Sequence, residues 1–350
     1  MPIVDKKKIT RPEVIEVLEL QEKHITQAAS QFFKTPENIQ IDFTSLWNKV
    51  MDANVRWFKG EKRQGLLSME EMRFLARFHR NAVETRSNEI QKLKSFMTDV
   101  KIENVDLDGV PAEWQIVPGA MEDKIILYFH GGGYIMGSPN VTRMISVRLA
   151  KVTKARILSI DYRLAPEHPY PQGIEDCISS YKWLLSNGFD SKNIIISGDS
   201  AGGYFTLMTL VNLRDESIPL PAGAIIFSSA TDLASTSEST IKNSPTDPIL
   251  ADLGVFWWIE CYLAGADPLS PEVSPLYADL TNLPPILAQV STSEMLYDEA
   301  RLFIEKAKKA GVDATLQTWD DTIHEFQNYD LPESTEALDK ARVFFEKLFD

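Results

Sequence analysis

Thiol chemistry is nearly absent from this chain: its two cysteines, Cys177 and Cys261, lie far apart in sequence. One falls in an amphipathic stretch and the other in an aromatic-rich one, so both read as buried free thiols, which suits a reducing compartment. Long hydrophobic runs are missing too, since no uninterrupted apolar stretch approaches the roughly 18 residues of a membrane span. Met1 to Lys8 runs into charge rather than an apolar segment, so no signal peptide is expected and the cytoplasm is the expected location. Positive charge is the scarcer sign: 36 Lys and Arg face 50 Asp and Glu, for a formal net charge of −14. Such a surface repels nucleic acid and anionic membrane, so neither is an expected partner, and solubility is its simplest role. The rest is ordinary for a soluble folded chain, with 44% hydrophobic and 25% charged residues. A length of 350 residues fits one large domain plus an accessory region. The oligomeric state is left open, a homodimer included.

Through about residue 95 the chain reads as helix, with no convincing strand. Thr10 and Glu13 have capping-box spacing with Pro12 near the first turn, and Val14, Val17, Leu18, Ile25, Ala29 and Phe32 follow at roughly helical spacing. Thr35–Pro36 reads as a second helix start and Ser68 with Glu71 as a third. From Thr98 onward short β-prone segments alternate with helical ones. Val100–Leu107 and Ala112–Val117 suggest an antiparallel hairpin. Ile125–Phe129, Ile157–Ile160, Ile194–Ser197, Ala224–Phe227 and Ile286–Val290 are short apolar runs, the mark of strands buried on both faces. Helical candidates lie between them near Thr142–Lys151, Gln172–Leu185 and Ala201–Arg214, which predicts an α/β fold with a largely parallel sheet. Asp232 to Leu276 interrupts this alternation with Ser, Thr and Pro and then Phe256–Trp257–Trp258, the composition of a loop-and-helix lid.

The chemistry concentrates in three places. Gly198–Asp199–Ser200–Ala201–Gly202 is a G-x-S-x-G turn between the run ending at Ser197 and a helical segment. Strand, sharp turn and helix form the context in which a serine is lifted above a sheet at a helix N-terminus, where small neighbours let strand and helix approach and developing negative charge is favoured. His130–Gly131–Gly132–Gly133–Tyr134 follows another strand. Three glycines keep side chains away, so backbone N–H groups can point at an oxyanion. A phosphate-binding turn is the alternative for a glycine triplet, but no dinucleotide or P-loop spacing accompanies it. A serine nucleophile also needs a base. Of the five histidines, His24, His79, His130, His168 and His324, only His324 follows Ser200, as the chain order Ser, acid, His requires. The acid should follow the strand Pro285–Val290, where two carboxylates stand, Glu294 and Asp298. Glu294 lies nearer the strand end and is favoured, whereas Asp298 stands where a carboxylate serves the dipole of a helix expected over Glu299–Ala310.

With these motifs assembled, the chain resembles the hormone-sensitive-lipase family of microbial esterases within the α/β hydrolases. HGGGY at His130–Tyr134, DYRLAPEHPYP at Asp161–Pro171, GDSAGG at Gly198–Gly203, LPPILAQVSTSEMLYDEA at Leu283–Ala300 and His324–Glu325–Phe326 carry the resemblance, over roughly Lys124 to Leu331. The Ser228–Leu280 region is also similar to monoterpene lactone hydrolases. The resemblance implies an eight-stranded, mostly parallel sheet flanked by helices, with a helical cap. The division it suggests is residues 1–95 as a helical cap region and 96–350 as the catalytic domain, with a lid-like insert at about 232–276. It implies Ser200, Glu294 and His324 as a triad and Gly132, Gly133 and Ala201 as oxyanion donors, with no cofactor and no metal. The implied reaction is hydrolysis of short-to-medium acyl carboxylic esters, the partner being a small-molecule ester. Lactone or amide hydrolysis at the same site is a rival. So is a non-catalytic receptor, as in plant gibberellin receptors that resemble the family but have lost the catalytic histidine. Asp161, Arg163, Glu167 and His168 look like a structural segment of the family. Two departures stand out: a longer helical N-terminal region, and Asp320–Asp321 just before His324, two carboxylates expected to raise its pKa.

Overall fold

The structure, a computed structural model, describes residues 11–35, 38, 42–58, 67–93, 95–253 and 256–349. Eight strands form one sheet in the order β1-β2-β4-β3-β5-β6-β7-β8. They are β1 Lys101–Asp106, β2 Pro111–Ile116, β3 Ile125–Phe129, β4 Arg156–Ile160, β5 Ile194–Asp199, β6 Gly223–Phe227, β7 Ile286–Ser291 and β8 Ala314–Trp319. The hairpin β1–β2 is antiparallel, β2 runs antiparallel to β4, and all later pairings are parallel. This is the sheet the apolar runs predict. Those runs are continuous because both faces are covered. On one face Ile126, Tyr128, Ile157, Ile195, Ile225 and Leu287 pack with Ile145, Leu149, Leu338 and Phe345. On the other, Leu127, Phe129, Leu158, Ile196, Ile226 and Ala288 pack with Ile174, Tyr181, Phe205, Leu207 and Phe303.

Three described helices precede the sheet: α1 Pro12–Phe32, α2 Phe43–Phe58 and α3 Met69–Leu93. Thr10, expected to cap the first, lies outside the described residues, and Arg11 holds the N-cap position without a side-chain cap bond. Pro36 of the expected second start also lies outside them. The third start is as expected: Ser68 Oγ accepts from Glu71 N at 3.2 Å while Glu71 Oε2 accepts from Ser68 N at 2.8 Å, a reciprocal capping box. The helices between and after the strands are α4 Pro139–Thr153, α5 Gln172–Ser186, α6 Ala201–Asp215, α7 Glu238–Lys242, α8 Leu250–Leu253, α9 Phe256–Leu263, α10 Tyr297–Lys309 and α11 Pro332–Lys347. None of the described helices is long and apolar enough to cross a membrane. Both cysteines are buried and free.

The N-terminal helices reach the rest of the molecule through polar ties from α3, where Arg80 donates to the carbonyls of Ile135 and Ala165 and Ser87 to that of Asn140, and through two apolar clusters. Phe32, Phe33, Phe43, Phe74 and Phe78 form an edge-packed aromatic cluster, which continues through His79 to Trp257 and Trp258 of α9, with ring centroids 5.6 and 6.0 Å from the imidazole. Separately, Val14 of α1 joins Trp319, Ile323, Phe326, Leu331 and Ala337 in a small core around the loop after β8. Phe326 has no exposed surface and lies 5.2 Å from Trp319, centroid to centroid. Truncating a buried phenylalanine typically costs about 3–5 kcal/mol. Phe326→Ala should therefore lose that much in urea unfolding at unchanged slope. A loss under about 1 kcal/mol would show that this loop is not held by packing.

Candidate active site

At the end of β5 the chain turns within one residue into α6. Ser200 occupies that turn with φ 51° and ψ −116°, a left-handed backbone that costs energy for a residue bearing a Cβ. Its N–H donates to Phe227 O at 2.8 Å, which ties the turn to β6. The two flanking glycines are required by contact. A Cβ on Gly202 would run into the Phe129 carbonyl, and one on Gly198 into the backbone of Gly202. Strand and helix thus meet backbone to backbone, and Ser200 is left projecting over the C-terminal rim of the sheet.

His324 comes from the loop after β8. Its Nε2 lies 3.0 Å from Ser200 Oγ, within hydrogen-bond reach. Behind it, Nδ1 lies 3.5 Å from Oε2 of Glu294, slightly beyond hydrogen-bond length. Glu294 is itself 1% exposed. The structure therefore gathers Ser200, His324 and Glu294 into one line. Asp298 is not part of it. That residue lies within the first turn of α10, where Oδ2 accepts from Ser239 N at 2.8 Å and Oδ1 from Arg301 Nε at 2.9 Å. The helix begins at Tyr297, two residues before the expected Glu299, so Asp298 sits inside it.

Several supporting residues escape the sequence motifs. Ser228, at φ 48° after β6, donates from Oγ to Glu294 Oε2 at 2.9 Å and accepts from Glu325 N at 3.1 Å, so one hydroxyl joins the acid to the histidine loop. Asn243 Nδ2 donates to the carbonyls of Thr292 and Glu294 at 3.0 and 2.9 Å, and Asp247 Oδ2 accepts from Met295 N at 2.9 Å. Asp199, inside the turn motif, accepts from Tyr128 Oη at 2.7 Å and from Gly131 N at 3.0 Å, which anchors the glycine loop to the nucleophile's own turn. Arg148 Nη1 donates to the carbonyls of Gln327 and Tyr329, each at 2.8 Å, and fixes the far side of the histidine loop. Only Asp199 stands within one of the short motifs; Arg148 lies in a segment read simply as helix, and Ser228, Asn243 and Asp247 lie in the Ser228–Leu280 region, where no single residue stood out.

Burial works against a charged imidazole at His324, but the negative charge of Glu294, with Glu325 and Asp247 behind it, outweighs burial and raises its pKa to about 9. The carboxylates responsible are not the expected pair. Asp320 Oδ1 accepts from Thr292 Oγ1 at 2.7 Å, and Asp321 holds Arg11 through its carbonyl. Glu325 Oε1 instead lies 3.7 Å from His324 Nε2, and burial followed by the Asp199 charge pushes Glu325 up to about 8. His130 is fully buried and stacks on Tyr162 at 4.1 Å. His168 meets Gln172 at 2.9 Å, and Arg163 pairs with Asp176 and Glu167 with Arg80, so that segment ties loops together. Among the described residues no group of three or more His, Cys, Asp or Glu is arranged to hold a metal ion.

Two cavities meet at Ser200. The larger, about 130 Å³, is walled by Gly131–Gly133, His324, Glu325, Trp258, Leu250 and, from α3, Val83, Arg86 and Ile90. The smaller, about 50 Å³, is walled by Gly133, Ala201, Leu250, Phe256, Trp258 and Glu299. Gly132 and Gly133 have φ of 121° and 57°, and a Cβ on Gly133 would strike the Trp258 ring, so the loop needs glycine to pass beneath it. The three residues expected as oxyanion donors thus stand in the walls around Ser200, with Ala201 N at the start of α6.

Over residues 126–328 the chain matches the family described as alpha/beta hydrolase fold. It is 37% identical over 235 residues to an acetyl-hydrolase of Streptomyces hygroscopicus, covering 67% of this chain and 78% of that protein. A crystal structure of an esterase from the bacterial hormone-sensitive lipase family superposes with a TM-score of 0.75 at 37% identity, covering 87% of this chain and 99% of that one. EstE5, in a crystal soaked with p-nitrophenyl butyrate, gives a TM-score of 0.72 at 36% identity, with 86% of this chain and 98% of that one covered. A serine held 3.0 Å from an imidazole with a carboxylate behind it should be unusually nucleophilic. A fluorophosphonate probe should therefore label Ser200, and labelling should vanish in His324→Ala, both read by peptide mass spectrometry. A label on any other residue of the folded protein would show that the geometry does not activate this serine.

Proposed function

This chain is a member of the hormone-sensitive-lipase family of α/β hydrolases, and from that membership we propose that it is a serine carboxylic-ester hydrolase. The observation that carries the reading is the 3.0 Å approach of His324 Nε2 to Ser200 Oγ, beneath a glycine loop and in front of a buried carboxylate. His324 takes the Ser200 proton as Oγ forms a bond to the ester carbonyl carbon. The carbonyl oxygen becomes an oxyanion, and the N–H groups of Gly132, Gly133 and Ala201 hold it. Glu294 orients the imidazole and stabilises its positive charge. As the ester C–O bond breaks, His324 Nε2 returns the proton to the departing alcohol oxygen. Water, deprotonated by the same histidine, then releases the acid and restores Ser200.

The proton handover decides which cavity takes which half of the ester. The alcohol must leave beside Nε2, so it belongs in the larger cavity, where His324 is part of the wall. The acyl group then lies in the smaller one, against Ala201. Its volume of about 50 Å³ supports short acyl chains, as do an acetyl-hydrolase relative and a relative soaked with p-nitrophenyl butyrate. We take the helices before residue 96 and the 232–276 segment as the cap, since α3, Leu250 and Trp258 wall the cavities.

A series of p-nitrophenyl esters tests the reading: turnover should be highest for acetate to butyrate and should fall for longer chains. Preference for emulsified long-chain triglyceride would overturn it. Glu294→Gln should lower kcat on the order of 10⁴-fold, as loss of the orienting acid does in a serine protease. Asp298→Asn should change kcat little and stability by about 1 kcal/mol, since Asn can still accept from Ser239 N and what is lost is the charge at a helix start and a partly buried ion pair with Arg301. The reverse pattern would make Asp298 the acid. A general base must be neutral to act. With His324 raised to about 9, kcat/KM should climb with pH through the neutral range toward that value. A profile already level above pH 6.5 would show that the surrounding carboxylates do not hold the proton on the imidazole.

A further inference from the structure

The residue after the histidine carries a side chain where the backbone favours none. Glu325 has φ 52° and ψ 40°, the left-handed region that glycine occupies freely and a residue bearing a Cβ occupies at a cost. Its carboxyl is held in place. Asn328 Nδ2 donates to Oε2 at 3.1 Å, while Oε1 lies 3.7 Å from His324 Nε2, the nitrogen that faces Ser200. The side chain is 19% exposed and stands in the wall of the larger cavity, the one that receives the alcohol half of the ester. The triad is complete without it. Backbone strain that persists beside a reacting group points to a side chain kept for what it does there.

The surroundings decide which form the carboxyl takes. Asp199, at the end of β5, crowds it: a Cβ on Gly131 would lie 2.3 Å from Asp199 Oδ2 and 2.6 Å from Glu325 Oε1. The Asp199 oxygens already accept from Tyr128, Thr142 and Gly131. Burial first, and then the Asp199 charge, push Glu325 up to about 8, against the opposing charges of His324 and of Arg86 from α3. Glu325 therefore keeps its proton in the neutral range and hydrogen-bonds to Asp199. A carboxylic acid held neutral at such a place is a hydrogen-bond donor. Two groups 3.7 Å apart can both reach one oxygen at ordinary hydrogen-bond length, so an oxygen between Oε1 and Nε2 becomes a second acceptor for this proton. The alcohol oxygen leaves through that space, because it takes its proton from Nε2.

We propose that Glu325 is a further catalytic residue, which donates a hydrogen bond to the alcohol oxygen as it leaves and so lets the enzyme expel poor leaving groups. The proposal rests on the ester-hydrolase reading and on the alcohol half lying in the larger cavity. The bonds made and broken are unchanged: Ser200 Oγ bonds to the acyl carbon, the ester C–O bond breaks, and the proton that ends on the alcohol comes from Nε2. Glu325 keeps its own proton and stabilises the negative charge that builds on the oxygen before that transfer is complete. An alkoxide needs this help. A p-nitrophenolate, whose charge spreads over its ring, does not.

The kcat/KM values of the full chain for ethyl butyrate and p-nitrophenyl butyrate at one pH test it, since the two esters share an acyl group and differ only in what leaves. In Glu325→Leu the value for ethyl butyrate should fall at least about tenfold more than that for p-nitrophenyl butyrate, a fraction of the roughly 10²–10³-fold that one oxyanion donor supplies. Comparing the two losses cancels any change in the amount of folded enzyme. Glu325→Gln, which keeps an N–H donor at the same length, should restore most of the difference. If the leucine variant does not fold, Glu325→Asn reads the same ratio, since Asn tolerates a left-handed backbone and is too short to reach. Equal losses on both esters would overturn the proposal, make Glu325 a structural part of its loop and leave the ester-hydrolase reading standing. Turnover of neither ester by the unsubstituted chain would remove both.

Discussion

The carbonyl of Phe129 occupies the space that a side chain at residue 202 would need, and the site is built outward from that contact. Because Gly198 and Gly202 bring β3, β5 and the start of α6 into backbone contact, the chain must turn at Ser200 in a left-handed conformation. That turn raises the hydroxyl above the sheet and sets it at a helix N-terminus. It also fixes Asp199 where it can hold Gly131. The glycine loop, the helix start and Ser200 are therefore held as one unit, and only Glu294 and His324 have to be delivered to it from elsewhere.

They are delivered by the two strands at the far edge, β7 and β8, whose following loops carry Glu294 and His324. Three polar ties hold these loops in register with the nucleophile. Ser228 bridges the acid to the histidine loop, Asn243 pins the carbonyl of Glu294, and Arg148 clamps the loop after the histidine. The N-terminal helix closes the arrangement through Val14, packed against Ile323 and Phe326 on either side of His324. The placing of His324 beside Ser200 thus draws on the first described helix as well as on the sheet.

What the sequence made legible follows from where each signal comes from. Strands buried on both faces cannot hide, since their apolar runs are forced by packing, and the runs such as Ile125–Phe129 fall where the strands do. The turn and the glycine loop are legible because close backbone approach tolerates almost no residue but glycine. Which carboxylate faces His324 was less so: Glu294 and Asp298 are four residues apart, and the helix starting at Tyr297 separates their surroundings. Electrostatics were the least legible. Asp320 and Asp321, which precede His324 by four and three residues, turn to other partners, whereas Glu325, the very next residue, and Asp247, far away in the chain, influence its proton. Closeness along the chain does not by itself set the field at a ring nitrogen when loops reverse direction between residues.

Leu250 and Trp258 stand in the walls of both cavities, with the Trp258 ring lying over Gly133 between them. A partition shared in this way cannot respond to one occupant without moving against the other. Selectivity toward the two halves of a substrate is then not a product of two independent factors. A grid of acids crossed with alcohols would show interaction terms rather than parallel rows, because groups that share a contact do not contribute additively. Evolution of a new preference on one side would carry an unselected change on the other, and the shared indole is where that coupling resides.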